Sequence, residues 1–362
     1  MVKYMPSVRQ QNDFLIGFKN RLIILMKCHC IFNFVSGPAG GGNAFLTSLV
    51  NNFKAKGRYT QSPEHAKIFL INSHHNVGKV LEYKRKYNDR LFVHRIDGPM
   101  KVYNNTKDLR DDIVRLINYH VADATIFQSK WSQSENQRLK NTNTEFSTVI
   151  PNAPNPVIFN TQQRTMFMPD RKPRLIASSF STNWKKGFKV LDWLDKNLDF
   201  DKYEMTFIGN TPISFKNIRH IPPVESLEMA SWLKQSDIYI FTSEIEACSN
   251  ALQEAIHCGL PVVGKNSSSN PEFIDQGGEL YDDPSEISHK IDKICKNYSM
   301  YQKSIKNPRL SEIGDKYYEF MESCYNAKNN TSMKRLGYLR YINIKCLVLA
   351  WKIIGKLETM RK

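Results

Sequence analysis

Two carboxylates flank a turn in residues 243–263, SEIEACSNALQEAIHCGLPVV, with seven residues between Glu246 and Glu254. An apolar run over 238–242 precedes them. A helix that begins near Ser249 or Asn250 follows, stopped by Cys-Gly-Leu-Pro and a second apolar run. Strand, polar turn, helix, Gly-Pro stop and strand make a βαβ unit, whose turn and helix N-terminus form a ligand crevice. Glu246 then lies in the turn and Glu254 about a turn into the helix, with the N–H groups of Ser249, Asn250 and Ala251 between them. Carboxylates accept from hydroxyls, and free N–H groups at a helix start hold phosphate. That suits a ligand with hydroxyls at both ends and phosphate in the middle, as in a nucleotide-sugar. The competing reading is a solvated helix face that carries Glu254 by chance; the flanking strand and the CGLPVV stop weigh against it.

Three further clusters have usable chemistry. Lys185 and Lys186 stand just ahead of a helix expected to run through Leu198, where two ammonium groups can neutralise a diphosphate leaving group. Without such a setting they read as solvated surface. The run LFVHRIDGP at 91–99 brings Asp97 to the end of an apolar strand, either facing a crevice or capping the turn before Pro99. GPAGGGN at 37–43 follows an apolar strand expected at 31–35 and opens a helix over 44–53. Glycines there let the backbone approach a phosphate, and a plain flexible loop is the alternative.

Positioning these groups takes two similar frameworks. Strands and helices alternate on both sides of a proline-rich polar linker at 151–173, and 362 residues at 41% hydrophobic content can bury two cores. Two Rossmann-like halves with the ligand between them are the expected architecture.

With these segments in order, the chain resembles bacterial retaining glycosyltransferases of family 4 (glycosyltransferase group 1). The resemblance rests on the two glutamates within CSNAL and CGLPVV, on RIDGP, on ADATIFQS at 122–129 and on IPNAP at 150–154, and covers about residues 28–325. It implies the GT-B fold, α/β with two doubly wound parallel-sheet domains facing across a cleft. It also implies that Glu246 holds the donor sugar, Glu254 the ribose, and the Ser249, Asn250 and Ala251 backbone the diphosphate. Gly41 and Gly42 would sit beside that diphosphate. Two positions depart from the wider family. Asp97 stands where many relatives have a histidine at the reacting centre. Ser181 stands five positions before Lys186, where an arginine is usual, and Lys185 is the candidate for the second charge. The implied reaction moves a sugar from a nucleoside-diphosphate donor to a glycan or polyprenyl- or lipid-linked acceptor, with retention, in polysaccharide or glycolipid synthesis. Catalytic roles fall to Glu246, Lys186 and Asp97, and no metal or other cofactor is expected.

The seven cysteines show no disulfide framework, and Cys28-His29-Cys30 has no second pair to complete a metal site, so buried strand residues are expected. No segment reaches the ~20 apolar residues a membrane span needs, and 22–26 is too short for a signal peptide, so cytoplasmic residence is the expectation. The net charge of +16 gathers in the tail, where Glu358 is the one acid after Glu322. On a helix, Lys334, Lys345, Lys352 and Lys356 share a face opposite Leu336, Leu339, Leu347, Trp351 and Ile354. Two readings stay open: a helix on an anionic membrane surface, joined by the N-terminal extension, or a core-docking helix with a solvated lysine stripe.

The expected division is an extension at 1–27, a first domain at 28–160, a donor domain at 170–327 and the basic helix at 328–362. A nucleotide-sugar epimerase or a non-catalytic GT-B scaffold remain alternatives on the same fold. Nucleic-acid binding rests on charge alone, and no nucleic-acid partner is expected.

Overall fold

The computed structural model describes residues 26–35, 41–104, 108–329 and 333–360. The N-terminal extension, with Phe14, Leu15, Phe18, Arg21, Leu22 and Leu25, lies outside the described residues.

The first sheet has five parallel strands in the order β1 (Cys28–Ile31), β2 (Ile68–Asn72), β3 (Leu91–Ile96), β4 (Ala124–Phe127) and β5 (Phe146–Val149). Its helices are α1 (Gly41–Ala55), α2 (Val77–Lys86), α3 (Met100–Asn104), α4 (Leu109–His120) and α5 (Lys130–Arg138). After α1 the chain makes one parallel bridge, Cys28 to Tyr59, on the side of β1 away from β2. The winding therefore reverses at β1, and a crevice opens beyond its C-terminal end. β1 ends earlier than its apolar run suggests. Cys28–Ile31 pair with Ile68–Ile71, but the Phe32 N–H turns back to the Cys30 carbonyl at 3.0 Å, and Phe34 and Val35 are exposed. The strand expected at 31–35 thus lies at 28–31, with Cys28 and Cys30 in the core.

A connection without regular secondary structure, residues 150–173, leads to the second sheet. Its strands are β6 (Arg174–Ser179), β7 (Glu204–Gly209), β8 (Arg219–Ile221), β9 (Ile238–Phe241), β10 (Val262–Lys265) and β11 (Gly278–Tyr281). All pair in parallel in the order β11-β10-β9-β6-β7-β8, so the reversal falls between β6 and β9. Helices α6 (Phe188–Asn197), α7 (Ser226–Gln235), α8 (Asn250–His257), α9 (Asn270–Ile274), α10 (Ile287–Lys296) and α11 (Tyr298–Lys303) belong to this half. Each sheet has an apolar core on both faces, as parallel strands with their near-continuous apolar runs require.

The last two helices return to the first half. α12 (Leu310–Asn329) buries Leu310, Ile313, Tyr317 and Met321 in the same core as α1, and its Asp315 accepts from Lys56 at 2.7 Å and Arg58 at 2.5 Å. The 170–327 stretch thus splits, with its end from residue 310 packed on the first sheet. α13 (Tyr338–Met360) lies against α4 and α2, with Ile344 fully buried and Leu347, Val348 and Trp351 half-buried. Lys334 precedes this helix. Its N–H donates to Asp123 at 2.8 Å and its ammonium to the Asn118 carbonyl at 3.0 Å, so it does not join the exposed lysines. Leu339 and Ile354 are exposed, unlike Leu336, Leu347 and Trp351, because the docked stripe centres on Ile344. Lys356 lies outside the described side chains. No helix of the described residues is long and apolar enough to cross a membrane.

Candidate active site

The C-terminal ends of the two sheets meet at one cavity of about 390 Å³, lined by both halves. On the second half it lies over the reversal between β6 and β9. β6 delivers Ser178, Ser179 and Ser181, and β9 delivers Thr242, Ser243 and Glu246. A 3-10 turn, Trp184–Lys186, places Lys186 beneath them. The turn depends on Gly187, whose φ is +84° and where a Cβ would stand 2.1 Å from the Thr242 carbonyl oxygen. No side chain fits there, and the close approach lets the Thr242 hydroxyl donate to the Lys186 carbonyl at 2.7 Å.

The Lys186 ammonium meets the Glu246 carboxylate at 2.6 Å, and the Ser243 hydroxyl donates to the same oxygen at 2.6 Å. Burial opposes the lysine charge, but Glu246 and the Tyr103 ring region outweigh it, and the pKa of Lys186 is raised. Lys186 therefore stays charged at neutral pH in a largely dry site, ready for an anion. α8 starts beside it. Its cap, Ser249, accepts from the Leu252 N–H at 3.4 Å, and the Asn250 and Ala251 N–H groups, in the first turn, have no intrahelical acceptor. They line the cavity together with Ser249.

Two expected residues do not line it. Lys185 pairs with Glu244 at 2.7 Å and is turned to solvent, so it brings no second ammonium to Lys186. Glu254 sits behind the α8 N-terminus, near Tyr239, whose hydroxyl bonds Ser178 at 2.9 Å. Burial pushes the Glu254 carboxyl up to about 8. Ser181 is tied into the loop, its hydroxyl accepting from the Asn183 N–H at 3.2 Å.

The first half contributes Asp97 at the end of β3, and Gly41 and Gly42, which form the first turn of α1 rather than a loop. Residues 36–40 of the glycine run lie outside the described residues. Asp97 is held by Arg95 at 3.3 Å and by the Gln128 amide. Its side chain caps no turn before Pro99 among the described residues; after Pro99, Asp111 accepts from the Met100 and Lys101 N–H groups at the start of α3, at 2.8 Å each.

Four residues here escaped the sequence reading: Arg95, Gln128, Trp131 and Asn152. Arg95 is buried, and its guanidinium binds Asn72 at 2.5 Å and Asn152 at 2.7 Å as well as Asp97. Asn152 continues the chain across the cleft, donating to Gln128 at 3.1 Å and to Asn250 at 2.9 Å, and Asn250 donates to the Gly41 carbonyl at 2.8 Å. The Glu272 carboxylate also crosses, accepting from the Lys130 and Trp131 N–H groups at 2.9 and 2.7 Å. Their signal in the sequence was faint: Arg95, Gln128 and Asn152 lie inside RIDGP, TIFQS and IPNAP, but nothing local says they meet. Among the described residues no group of three or more His, Cys, Asp or Glu side chains is placed to hold a metal ion.

Two parallel-sheet halves with a shared cleft, and a chain that returns to the first half at its end, define the GT-B fold. A family model described as glycosyl transferases group 1 matches residues 215–311, which hold α8 and both glutamates. No curated protein matches the chain. Among solved structures, sucrose-phosphate synthase from Thermosynechococcus elongatus superposes with a TM-score of 0.61 at 12% identity, covering 92% of this chain and 100% of that one. HepE of Anabaena, in complex with UDP and glucose, gives 0.58 at 12% identity over 84% and 99%. The lipopolysaccharide outer core galactosyltransferase WaaB gives 0.55 at 14% identity over 90% and 99%.

Proposed function

We propose that this protein is a retaining hexosyltransferase of the family-4 type. It moves a sugar from a nucleoside-diphosphate-sugar to a hydroxyl of a glycan or lipid-linked acceptor in cell-surface polysaccharide or glycolipid synthesis. The observation that carries the reading is the Lys186–Glu246 pair at 2.6 Å beside the free N–H groups of α8. Breaking the anomeric bond builds negative charge on the leaving phosphate and positive charge on the sugar. Lys186 and the α8 N-terminus meet the first without a metal, and preorganised charge of this kind is the term most worth having in a transition state. Glu246 holds the sugar hydroxyls and Asp97 faces the reacting centre from the opposite half, while Glu254, which lies outside the cavity lining, takes a ribose that extends past the α8 N-terminus. Gly41 and Gly42 leave room for the diphosphate.

Arg95 and Gln128 fix Asp97 as a hydrogen-bond acceptor directed at the sugar, which a loosely held side chain would not be. HepE is solved with UDP and glucose and with UDP-glucose, so a uridine donor is the first to test. The test is a thermal-shift and turnover screen of the full chain against UDP-, GDP- and ADP-sugars, followed by NMR of the product's anomeric configuration. A stabilising donor that is consumed, with both effects lost in Glu246→Ala, is the expected result. Absence of any donor effect on folded protein would overturn the reading, and an inverted product would overturn its retaining part.

A further inference from the structure

α13 has two apolar faces, and only one is docked. Ile344, Leu347, Val348 and Trp351 pack on the first half. On the opposite side Tyr338, Leu339, Ile342, Cys346, Leu349 and Ile353 are exposed, Leu339 by 82% and Leu349 by 59%. At 3.6 residues per turn these six fall within about 100° of arc, centred roughly opposite Ile344. A solvated helix would put polar residues there, and a contiguous outward apolar stripe marks a binding surface.

Charge identifies the occupant. Lys345 and Lys352 run along one edge of the stripe, and Arg335 stands just before the helix; all three are exposed, and none forms an ion pair among the described residues. Residues 333–355 contain no aspartate or glutamate. A second copy of the helix would set its basic residues against one another with Glu358 as the one acid to answer them, whereas lipid phosphates supply the missing charge. A helix that is docked on one side and too polar to span can rest in the plane of a bilayer. We propose that the outward face of α13 binds an anionic membrane surface, with Leu339, Ile342, Leu349 and Ile353 at the acyl boundary and Lys345 and Lys352 on the headgroup phosphates.

The placement has a consequence for the cleft. On the docked side Trp351 meets the His74 ring edge-on at 5.5 Å, and His74 stacks on His75 at 4.5 Å. Both imidazoles lie within electrostatic reach of Asp97. Membrane contact would hold the Asp97 side of the cleft next to the headgroups. That last step rests on the proposed transfer; the surface itself does not.

The test is co-sedimentation of the full chain with phosphatidylcholine vesicles with and without phosphatidylglycerol. Binding should require phosphatidylglycerol and weaken with salt. It should fall on the order of tenfold or more in Leu349→Asp/Ile353→Asp and again in Lys345→Glu/Lys352→Glu. All four positions are exposed, so urea midpoints should stay unchanged in both variants. Donor turnover is not read, so a wrong transferase assignment leaves this result standing. Failure of the wild type to sediment with anionic vesicles would overturn the proposal, as would variants that bind like it. A lipid-free dimer dispersed by Leu349→Asp/Ile353→Asp would also overturn it, by giving the stripe to a second copy.

Discussion

The two halves of the cleft use the same topology and hold their charged groups in opposite ways. In the second half, Lys186 and Glu246 sit on consecutive strand ends at one reversal point, with partners from Ser243 to Ala251. In the first half, Asp97 is held by Arg95 from β3 and Gln128 from the end of β4, and both of these are tied to Asn152 in the linker. One is a local constellation of charge beside a helix start. The other is a buried arginine that ties Asp97 to two distant segments, the end of β2 and the linker, so moving either one shifts Asp97. Under the proposed transfer, the second half, as the donor side, should therefore lose chemistry when a residue changes, and the first half should lose geometry.

The sharpest separation comes from Lys186→Gln. It removes the ammonium that the proposed reaction sets against the leaving phosphate while keeping a hydrogen-bond donor beside Glu246. Turnover should fall by about 10²–10³, in the range seen for loss of one preorganised electrostatic group, with donor affinity changing much less. Single-turnover consumption of the identified donor, set against its calorimetric Kd, reads the split. A fall below tenfold would mean that the α8 N-terminus alone serves the phosphate.

Next in size is a backbone test. Gly187→Ala forces a Cβ into the Thr242 carbonyl at a positive φ and should cost about 2–3 kcal/mol in urea unfolding. Gly78→Ala in α2 meets nothing within 4 Å and should stabilise the protein by up to about 1 kcal/mol, the opposite sign. Equal effects would show that the Lys186 turn is not the tight point of the donor side.

Glu254 adds a pH signature. Burial holds its proton in the free protein until about pH 8, well above the ordinary carboxylate range. A raised folded pKa means stability is fully present below the unfolded pKa, near 4.5, and is lost as pH rises through 8. If the ribose binds here as proposed, its hydroxyls donating to this carboxylate favour the ionised form, and donor binding should release a proton. Below pH 8 affinity should then weaken by up to about tenfold for each unit of acidification, and Glu254→Gln should flatten the profile. Calorimetry in buffers of different ionisation enthalpy detects the proton directly. No release would place the ribose elsewhere.

How far the sequence could be read follows the same divide. Glu246, Ser249, Asn250 and Ala251 are contiguous, so a strand, a turn and a capped helix were enough to bring them together. Lys186 was placed by its position ahead of a helix, but its neighbour Lys185 differs only in the side it faces, which Glu244 decides. Arg95 could not be read at all, because a buried guanidinium between Asn72, Asp97 and Asn152 exists only once two strand ends and the linker converge. The end of β1 depended on a turn at Phe32 that its apolar neighbours concealed. α13 carries two apolar stripes, and periodicity finds a stripe without saying which one has a partner.

The smallest effect tests where the two halves join. Asn250 is the first residue of α8, so its N–H belongs to the donor side, while its side chain bonds Asn152 at 2.9 Å and the Gly41 carbonyl at 2.8 Å. Asn152 in turn binds the Arg95 guanidinium that holds Asp97. If the halves are independent, Asn152→Ala and Asn250→Ala should add. If the amide chain couples donor binding to the position of Asp97, the double variant should depart from additivity by about 1 kcal/mol in donor affinity, the scale of contacting polar pairs. Arg95 gives the control. Asn250→Ala leaves the Arg95–Asn152 bond intact, so it should spare Asp97 geometry and lower affinity without a matching loss of turnover. Asn152→Ala frees one guanidinium arm and should lower both. Identical kinetics in the two variants would place the coupling outside these amides, with the Glu272 contact to the Lys130 and Trp131 N–H groups as one candidate and Lys186 over the Tyr103 ring as another.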